Sequence, residues 1–293
     1  MRVGIPGGLL YYRYEPFINT FFHDLDINTQ YSTKSNKEIV NLGTRHCVDE
    51  ACFPMKLFHG HVAKLQESCD YVAIPRIMKC EFGESICPKF SGLPELVISG
   101  TGKGNNIFSE PIYMNDKLKF KAALKKSSSK IGISSEKFER AFDGALKAQE
   151  NTEQGIWDTG YKHTVFLAGH PYNIYDSFAN MNLIEKLHKM DIGVITEEKV
   201  SMQEKQQELK HLIKKPYWLF FINNFAPALA LYKQRKIQGI IYVSSFCCGT
   251  DSFTIEMIKN NIGNLPMLVL KIDEQTGEAG FDTRLEAFSE VLK

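Results

Sequence analysis

Short apolar runs of strand length, alternating with segments of helical spacing, constrain this chain more than any other feature of its sequence. RVGI at 2–5, YVAIP at 71–75, TVFLAG at 164–169, GIIYV at 239–243 and MLVLKI at 267–272 read as strands. Phe17, Phe21 and Leu25 recur every fourth residue, and Phe53, Leu57, Val62 and Leu65 fall three to five apart, so helices are expected over 14–25 and 53–66. A second strand near 27–32 and a short helix near 36–42 complete the first series. The pattern restarts at Thr164, with a helix over 177–190, a strand at 192–196 and a closing helix at 282–292. Strand, helix, strand in this order predicts an α/β fold with mostly parallel sheets covered by helices. The charged, serine-rich stretch from 116 to 153 has only intermittent apolar positions and is expected to form helices that link or flank two lobes. The expected division is a first lobe over 1–102, a helical segment over 103–160 and a second lobe over 161–293.

With 293 residues, 43% of them hydrophobic, the chain has material for two compact units. Lys plus Arg is 35 against 34 Asp plus Glu, so no global positive field favours nucleic acid. No apolar run reaches the roughly 18 residues that span a bilayer. The densest, PYWLFFINNFAPALALY, is interrupted by Asn223, Asn224 and Pro227, and the N-terminal residues lack a signal-peptide core. A cytoplasmic protein without membrane partners is expected. Seven cysteines, an odd and unevenly spread set, do not suit a secreted disulfide framework, which leaves metal binding or thiol reactivity as functional options.

Ligands in open parallel sheets sit beyond the carboxyl ends of the strands, and the unusual sequence falls there. HCVDEACFPMK precedes a helix, MKCEFGESICPKF follows YVAIP, AGHPYN follows TVFLA, SFCCGTDSF follows GIIYV, and LKIDEQTGEAG follows MLVL. If the two lobes face each other across a cleft, Cys52, Cys87 and Cys247 or Cys248 would line it, as an iron–sulfur cluster requires. Zinc is the rival ligand, although its tight C-x2–4-C pairing is missing; buried inert thiols and a reactive cysteine are the other readings. Cys248 is favoured over Cys247 because Gly249 beside it permits close backbone approach. Cys47 is a candidate for shared ligation with Cys52, Cys69 reads as a core or surface thiol, and Cys80 has no partner spacing. Of His59 and His61, two apart on a helix, one is expected to be packed or hydrogen-bonded and the other exposed. Lys56, four after Cys52, would offset thiolate charge or be solvated. His170 and Asn173 lie in a strand-exit loop suited to ligand contact, with turn stabilisation an equal reading for Asn173. Arg284 is a candidate for contact across the cleft or a plain surface residue. PGG at 6–8 fits neither nucleotide-binding glycine motif.

The stretches VGIPGGLLYYRYEPF, CVDEACFPMKLFHGHV, IPRIMKCEFGESICPKFSGLPE, GHPYNIYD, SFCCGTDSF and DEQTGEAGFDTRLEAF, in this order, resemble proteins related to the 2-hydroxyacyl-CoA dehydratases, including the CoA-substrate-specific enzyme activase-related proteins. The resemblance runs from residue 2 to about 290 and is weakest between 103 and 155. It implies two flavodoxin-like lobes and a cluster held by Cys52 of EAC-x-P-x-K, Cys87 of CPK and Cys248 of the FxCGxDSF motif. A 4Fe-4S cluster with an iron open to substrate is implied, with a larger double-cubane cluster as the variant seen in some relatives. Where relatives show FGCGPDSF this chain has FCCGTDSF, making Cys247 a fourth ligand or a small apolar filler; Cys47 raises the same choice. Lys56, His170, Asn173, Asp251 and Arg284 are then expected around the cluster or against substrate.

The resemblance further implies a separate ATP-dependent activase, carrying its own cluster, that delivers low-potential electrons, and a homodimer or related subunit as a further partner. The expected function is reduction or dehydration of a small substrate at an exposed cluster iron. The alternative is a non-catalytic cluster carrier, maturation factor or regulatory partner of an activase system.

Overall fold

The structure, a computed structural model, describes residues 1–105, 108–214 and 216–292. The chain forms two compact units, 1–153 and 154–293. In the first, strands β1 (Arg2–Ile5), β2 (Asn28–Tyr31) and β3 (Tyr71–Val72) form a parallel sheet in the order β2-β1-β3. Helix α1 (Tyr11–Asp24) follows β1, and α2 (Lys37–His46) and α3 (Phe53–Leu65) lie between β2 and β3 in the chain. Strand β4 (Arg76–Lys79), helix α4 (Leu93–Thr101) and strand β5 (Pro111–Tyr113) come next, with β4 and β5 paired in parallel. Helices α5 (Lys117–Ser129) and α6 (Ser135–Asn151) close the unit, capped by Asp116 and Ser134 side chains that accept from Lys119 and Lys137 N–H. Their few apolar positions are concentrated: Leu124, Phe138 and Phe142 join Phe17, Phe21 and Val3 in one buried cluster.

Two local devices shape this unit. Gly43 of α2 and Gly60 of α3 let the helix backbones touch, since a Cβ would stand 1.9 Å from the Lys56 carbonyl oxygen at Gly43 and 2.0 Å from that of Ile39 at Gly60. In α1, Pro16 interrupts the helix and Tyr14 leaves helical geometry at φ −110°, ψ 18°. The Gln149 side chain of α6 enters the gap: its Oε1 accepts from Phe17 N–H at 3.2 Å and its Nε2 donates to the Arg13 carbonyl at 3.0 Å. One amide thus replaces the hydrogen bond that Phe17 would have made to Arg13.

The second unit carries β6 (His163–Gly169), α7 (Pro171–Ile174), α8 (Leu183–Lys189), β7 (Ile192–Ile195), α9 (Met202–Leu209), α10 (Leu219–Lys233), β8 (Gly239–Ser245), α11 (Gly249–Lys259), β9 (Met267–Ile272) and α12 (Glu278–Val291). Its sheet is parallel throughout, ordered β7-β6-β8-β9. Chain order reverses between β6 and β8, and ligands bind beyond the strand ends at such a switch point. Strand β8 is buried at every residue, as its unbroken apolar start demands.

The helix expected over 177–190 is shorter. Asp176 Oδ1 accepts from the N–H groups of Phe178 and Ala179, and Asn180 Oδ1 from that of Leu183. These side chains compete for the backbone donors, and the helix starts only at Leu183. Conversely, the asparagines and proline that interrupt the apolar run near 220 lie inside α10 without ending it. Asn224 Nδ2 bonds the Phe220 carbonyl and its Oδ1 accepts from Gly169 N–H at 2.6 Å. Among the described residues no helix is long and apolar enough to cross a membrane.

Candidate metal centre

The β6–β8 switch point collects the chemically distinctive residues of the second unit. Gly169 ends β6 at φ 150°, where a Cβ would lie 2.6 Å from the Val243 carbonyl oxygen; only glycine allows this approach. His170 follows directly. Its ring stacks on Phe220 at 4.0 Å between centroids, and Nδ1 shares a short hydrogen bond with the Tyr172 hydroxyl. Across the switch point, Cys248 is the N-cap residue of α11 and Asp251 lies in that helix's first turn.

Donor atoms of His170, Cys248 and Asp251 all lie within 4.8 Å of one another. His170 Nε2 is 2.9 Å from Asp251 Oδ1, yet the approach lacks the direction of a hydrogen bond, and Nε2 has no hydrogen-bond partner. Asp251 Oδ2 is likewise buried without one. Tyr242 donates to Asp251 Oδ1 at 2.8 Å. Burial pushes the Asp251 carboxyl up, but the His170 ring and the hydrogen bonds from its neighbours outweigh it and hold the pKa below the ordinary value. In a cysteine–histidine–aspartate nucleophile the ring would bridge its partners through two nitrogens. Here Nε2 faces Asp251 and Nδ1 is taken by the Tyr172 hydroxyl. Nitrogen, sulfur and oxygen donors within 4.8 Å of one another, with His170 Nε2 and Asp251 Oδ2 lacking hydrogen bonds, fit a borderline metal ion such as zinc or iron.

Asn173 is engaged structurally: its Nδ2 donates to the Val243 carbonyl at 3.3 Å, and its Oδ1 accepts from Ser245 Oγ at 3.0 Å. The amide ties the β6 exit to β8. Cys247 is exposed at φ 64°, so it is no core filler. Arg284 Nη2 donates to the Val269 carbonyl at 2.5 Å, fastening α12 to β9.

In the first unit, Cys47 is the C-cap residue of α2, Cys52 the N-cap residue of α3, and Cys87 precedes a short 3-10 turn at Pro88–Phe90. Burial pushes the Cys52 thiol up; the Lys89 ammonium pulls it down, and the charge of Cys87 adds to the rise. Lys89 Nζ points at Cys52 Sγ from 3.9 Å. Burial also raises Cys47, with Lys56 among the charges opposing it and Cys52 among those reinforcing it. The three thiols therefore share one electrostatic neighbourhood with two lysines, and a bound metal would hold them deprotonated.

Cys69 is a core thiol under Gly4, and Cys80 is fully buried with its pKa pushed to about 12, first by burial. His59 and His61 are both buried, correcting the expectation that one is exposed: every residue of α3 except Lys64 is buried, so no face of the helix is left to solvent. Three partners escaped the sequence reading. Lys89, two after Cys87, and Tyr172, two after His170, both sit inside quoted motifs, whereas Tyr242 lies mid-strand with no signal.

The fold and donors define a parallel α/β protein with a candidate metal site at a sheet switch point. Residues 2–200 match the family model described as the CoA enzyme activase uncharacterised domain, and residues 114–292 that of the 2-hydroxyglutaryl-CoA dehydratase D-component. Each match covers more than half of the chain, which belongs to this CoA-substrate activase and 2-hydroxyacyl-CoA dehydratase D-component family. No curated protein sequence matches it. Family and donors together support a redox or cofactor-binding role.

Proposed function

We propose that the chain is an iron–sulfur redox protein that binds a 4Fe-4S or larger double-cubane cluster through Cys52 and Cys87 of the first unit and Cys248 of the second. Cys47 and Cys247 are additional candidates. When bound, such a cluster supplies single low-potential electrons to a small substrate. The chain's own residues prepare the ligands. Lys89 stands against the Cys52 sulfur, where it offsets thiolate charge, and helix N-termini at Cys52 and Cys248 favour the anionic form. Phe220 and Tyr172 fix the His170 ring, and Tyr242 fixes Asp251. The match to a CoA enzyme activase domain supports an ATP-dependent activase as electron-donating partner.

The observation that carries this reading is the convergence of Cys248, His170 and Asp251 at the switch point. Anaerobic purification with iron and sulfide analysis and EPR of the dithionite-reduced protein tests it. Brown protein with about equal iron and acid-labile sulfide is expected; a colourless, iron-free protein after anaerobic reconstitution overturns the proposal. The same convergence supports a second reading, a single divalent ion on these three donors, for which metal without sulfide is the signature. Turnover of acyl-CoA substrates by the reduced protein distinguishes an enzyme from a cluster carrier, maturation factor or regulatory partner.

A further inference from the structure

A cavity of about 340 Å³ lies within the first unit. It abuts the exits of β1 and β3 through Pro6 and Pro75, the position where chain order reverses in the β2-β1-β3 sheet. Its wall is almost wholly apolar and rich in phenylalanine, including Phe17, Phe21 and Phe108. The volume is within the range of small-molecule pockets, about 300–1,000 Å³.

Six polar side chains, Tyr11, Tyr14, Glu81, Lys117, Gln149 and Glu150, interrupt the apolar wall. Of these, the Tyr14 hydroxyl and Glu81 Oε2 are buried atoms that stand close to each other without a hydrogen bond of normal geometry, while the Glu81 side chain as a whole is 36% exposed. Arg13 Nε stands 3.7 Å from the other Glu81 oxygen. Burial, and after it the Glu81 charge, pushes the Tyr14 pKa well above the ordinary tyrosine value, so the phenol stays protonated and donates. Glu81 Oε2 offers only an acceptor. Tyr14 reaches its place because the helix is interrupted there, with Gln149 satisfying the freed backbone groups. A buried donor and a buried acceptor, each without its bond, cost stability unless something joins them.

We propose that this cavity binds an uncharged, apolar small molecule carrying one hydroxyl group, which accepts from Tyr14 and donates to Glu81 Oε2. The phenylalanine rings take the apolar body. A carboxylate head group set between Tyr14 and Glu81 would meet the Glu81 charge at close range, and Glu150 adds a second negative charge to a lining whose one cation among the described residues is Lys117. The site contains none of the candidate metal donors, so cavity binding and iron content are independent and either fails alone.

Calorimetric titration of the full chain with 4-propylphenol, 4-propylanisole and 4-propylbenzoate tests the assignment. The phenol is expected to saturate a single site and raise the melting temperature. The anisole, which cannot donate to Glu81, should bind about tenfold more weakly, the loss of one hydrogen bond, and the benzoate not detectably. Tyr14→Phe keeps the ring and removes the hydroxyl; it should weaken the phenol by about the same factor. Absence of saturable phenol binding, equal binding of phenol and anisole, benzoate binding as tight as phenol, or an unchanged phenol affinity in a folded Tyr14→Phe variant would each overturn it. Should Tyr14→Phe fail to fold, the wild-type ratio of phenol to anisole decides alone.

Discussion

The His61 ring sits on α3 with Nε2 3.0 Å from Ser35 Oγ, and burial lowers its pKa to about 4. The folded protein keeps this ring neutral down to about pH 4, whereas the unfolded chain protonates it near pH 6.5. Across that window the unfolded state binds more protons, so stability falls as pH drops from about 6.5 to 4, by roughly 3 kcal/mol for this residue. His59, bonded to the Met55 carbonyl and also lowered by burial, acts in the same direction. Urea unfolding at pH 7, 5.5 and 4.5 checks this, and His61→Gln should flatten the slope; a variant as acid-sensitive as the wild type would remove His61 as its source. Gln149 presents a second single-residue case. Gln149→Met keeps the volume but leaves Phe17 N–H and the Arg13 carbonyl without that amide. A loss of about 2 kcal/mol is expected from two stranded groups, and a change below about 0.5 kcal/mol would mean that the kink is satisfied by other means.

Among the elements, α2 and α3 show where pattern reading succeeds and where it stops. The apolar spacing of α3 made the helix legible, and its observed span differs from the expected one only at its last residue. Its burial was not legible, because the closeness of α2 depends on Gly43 and Gly60 meeting carbonyls of the opposite helix, a fact of pairing rather than period. Gly60→Ala would force the helices apart at backbone atoms, which cannot swing aside as a side-chain tip can. It is expected to cost more than about 2 kcal/mol and to disturb Cys47 and Cys52 at the helix ends. Thermal unfolding measures the first effect and thiol titration with a disulfide reagent the second; a native melting temperature would show that the crossing yields easily. The shortened α8 has a different cause, since Asp176 and Asn180 side chains take backbone donors that an apolar period cannot reveal. Strands were the most legible elements, and β6, β8 and β9 lie where their apolar runs lie.

For the molecule as a whole, the strand-exit rule placed His170 and Cys248 just past strands, and they follow β6 and β8, respectively, by only one to three residues; that these two exits meet at a switch point of one sheet is a fact of strand order. The donors' mutual distances were beyond the rule: nothing in the spacing from 170 to 248 brings the His170 ring near the Cys248 sulfur, and Tyr242 became visible as Asp251's partner only in the fold. The buried cluster around Phe142 draws all its residues from the first unit and that around Tyr242 all its residues from the second. That separation makes a test by parts informative. Residues 1–153 contain Cys52 and Cys87, and 154–293 contain Cys248 with His170 and Asp251. Expressed separately and reconstituted anaerobically with iron and sulfide, neither fragment should hold the cluster if all three cysteines are ligands, because each lacks part of the set; the full chain should. Far-UV circular dichroism of each fragment supplies the folding control. Cluster absorption from a folded second fragment alone would assign Cys248 to a site complete within its own unit, and a single sulfide-free metal ion there would instead select the His170, Cys248 and Asp251 donors. In the full chain, Cys248→Ser is then expected to abolish the metal signal on either reading, whereas Cys52→Ser abolishes it only if the ligands come from both units.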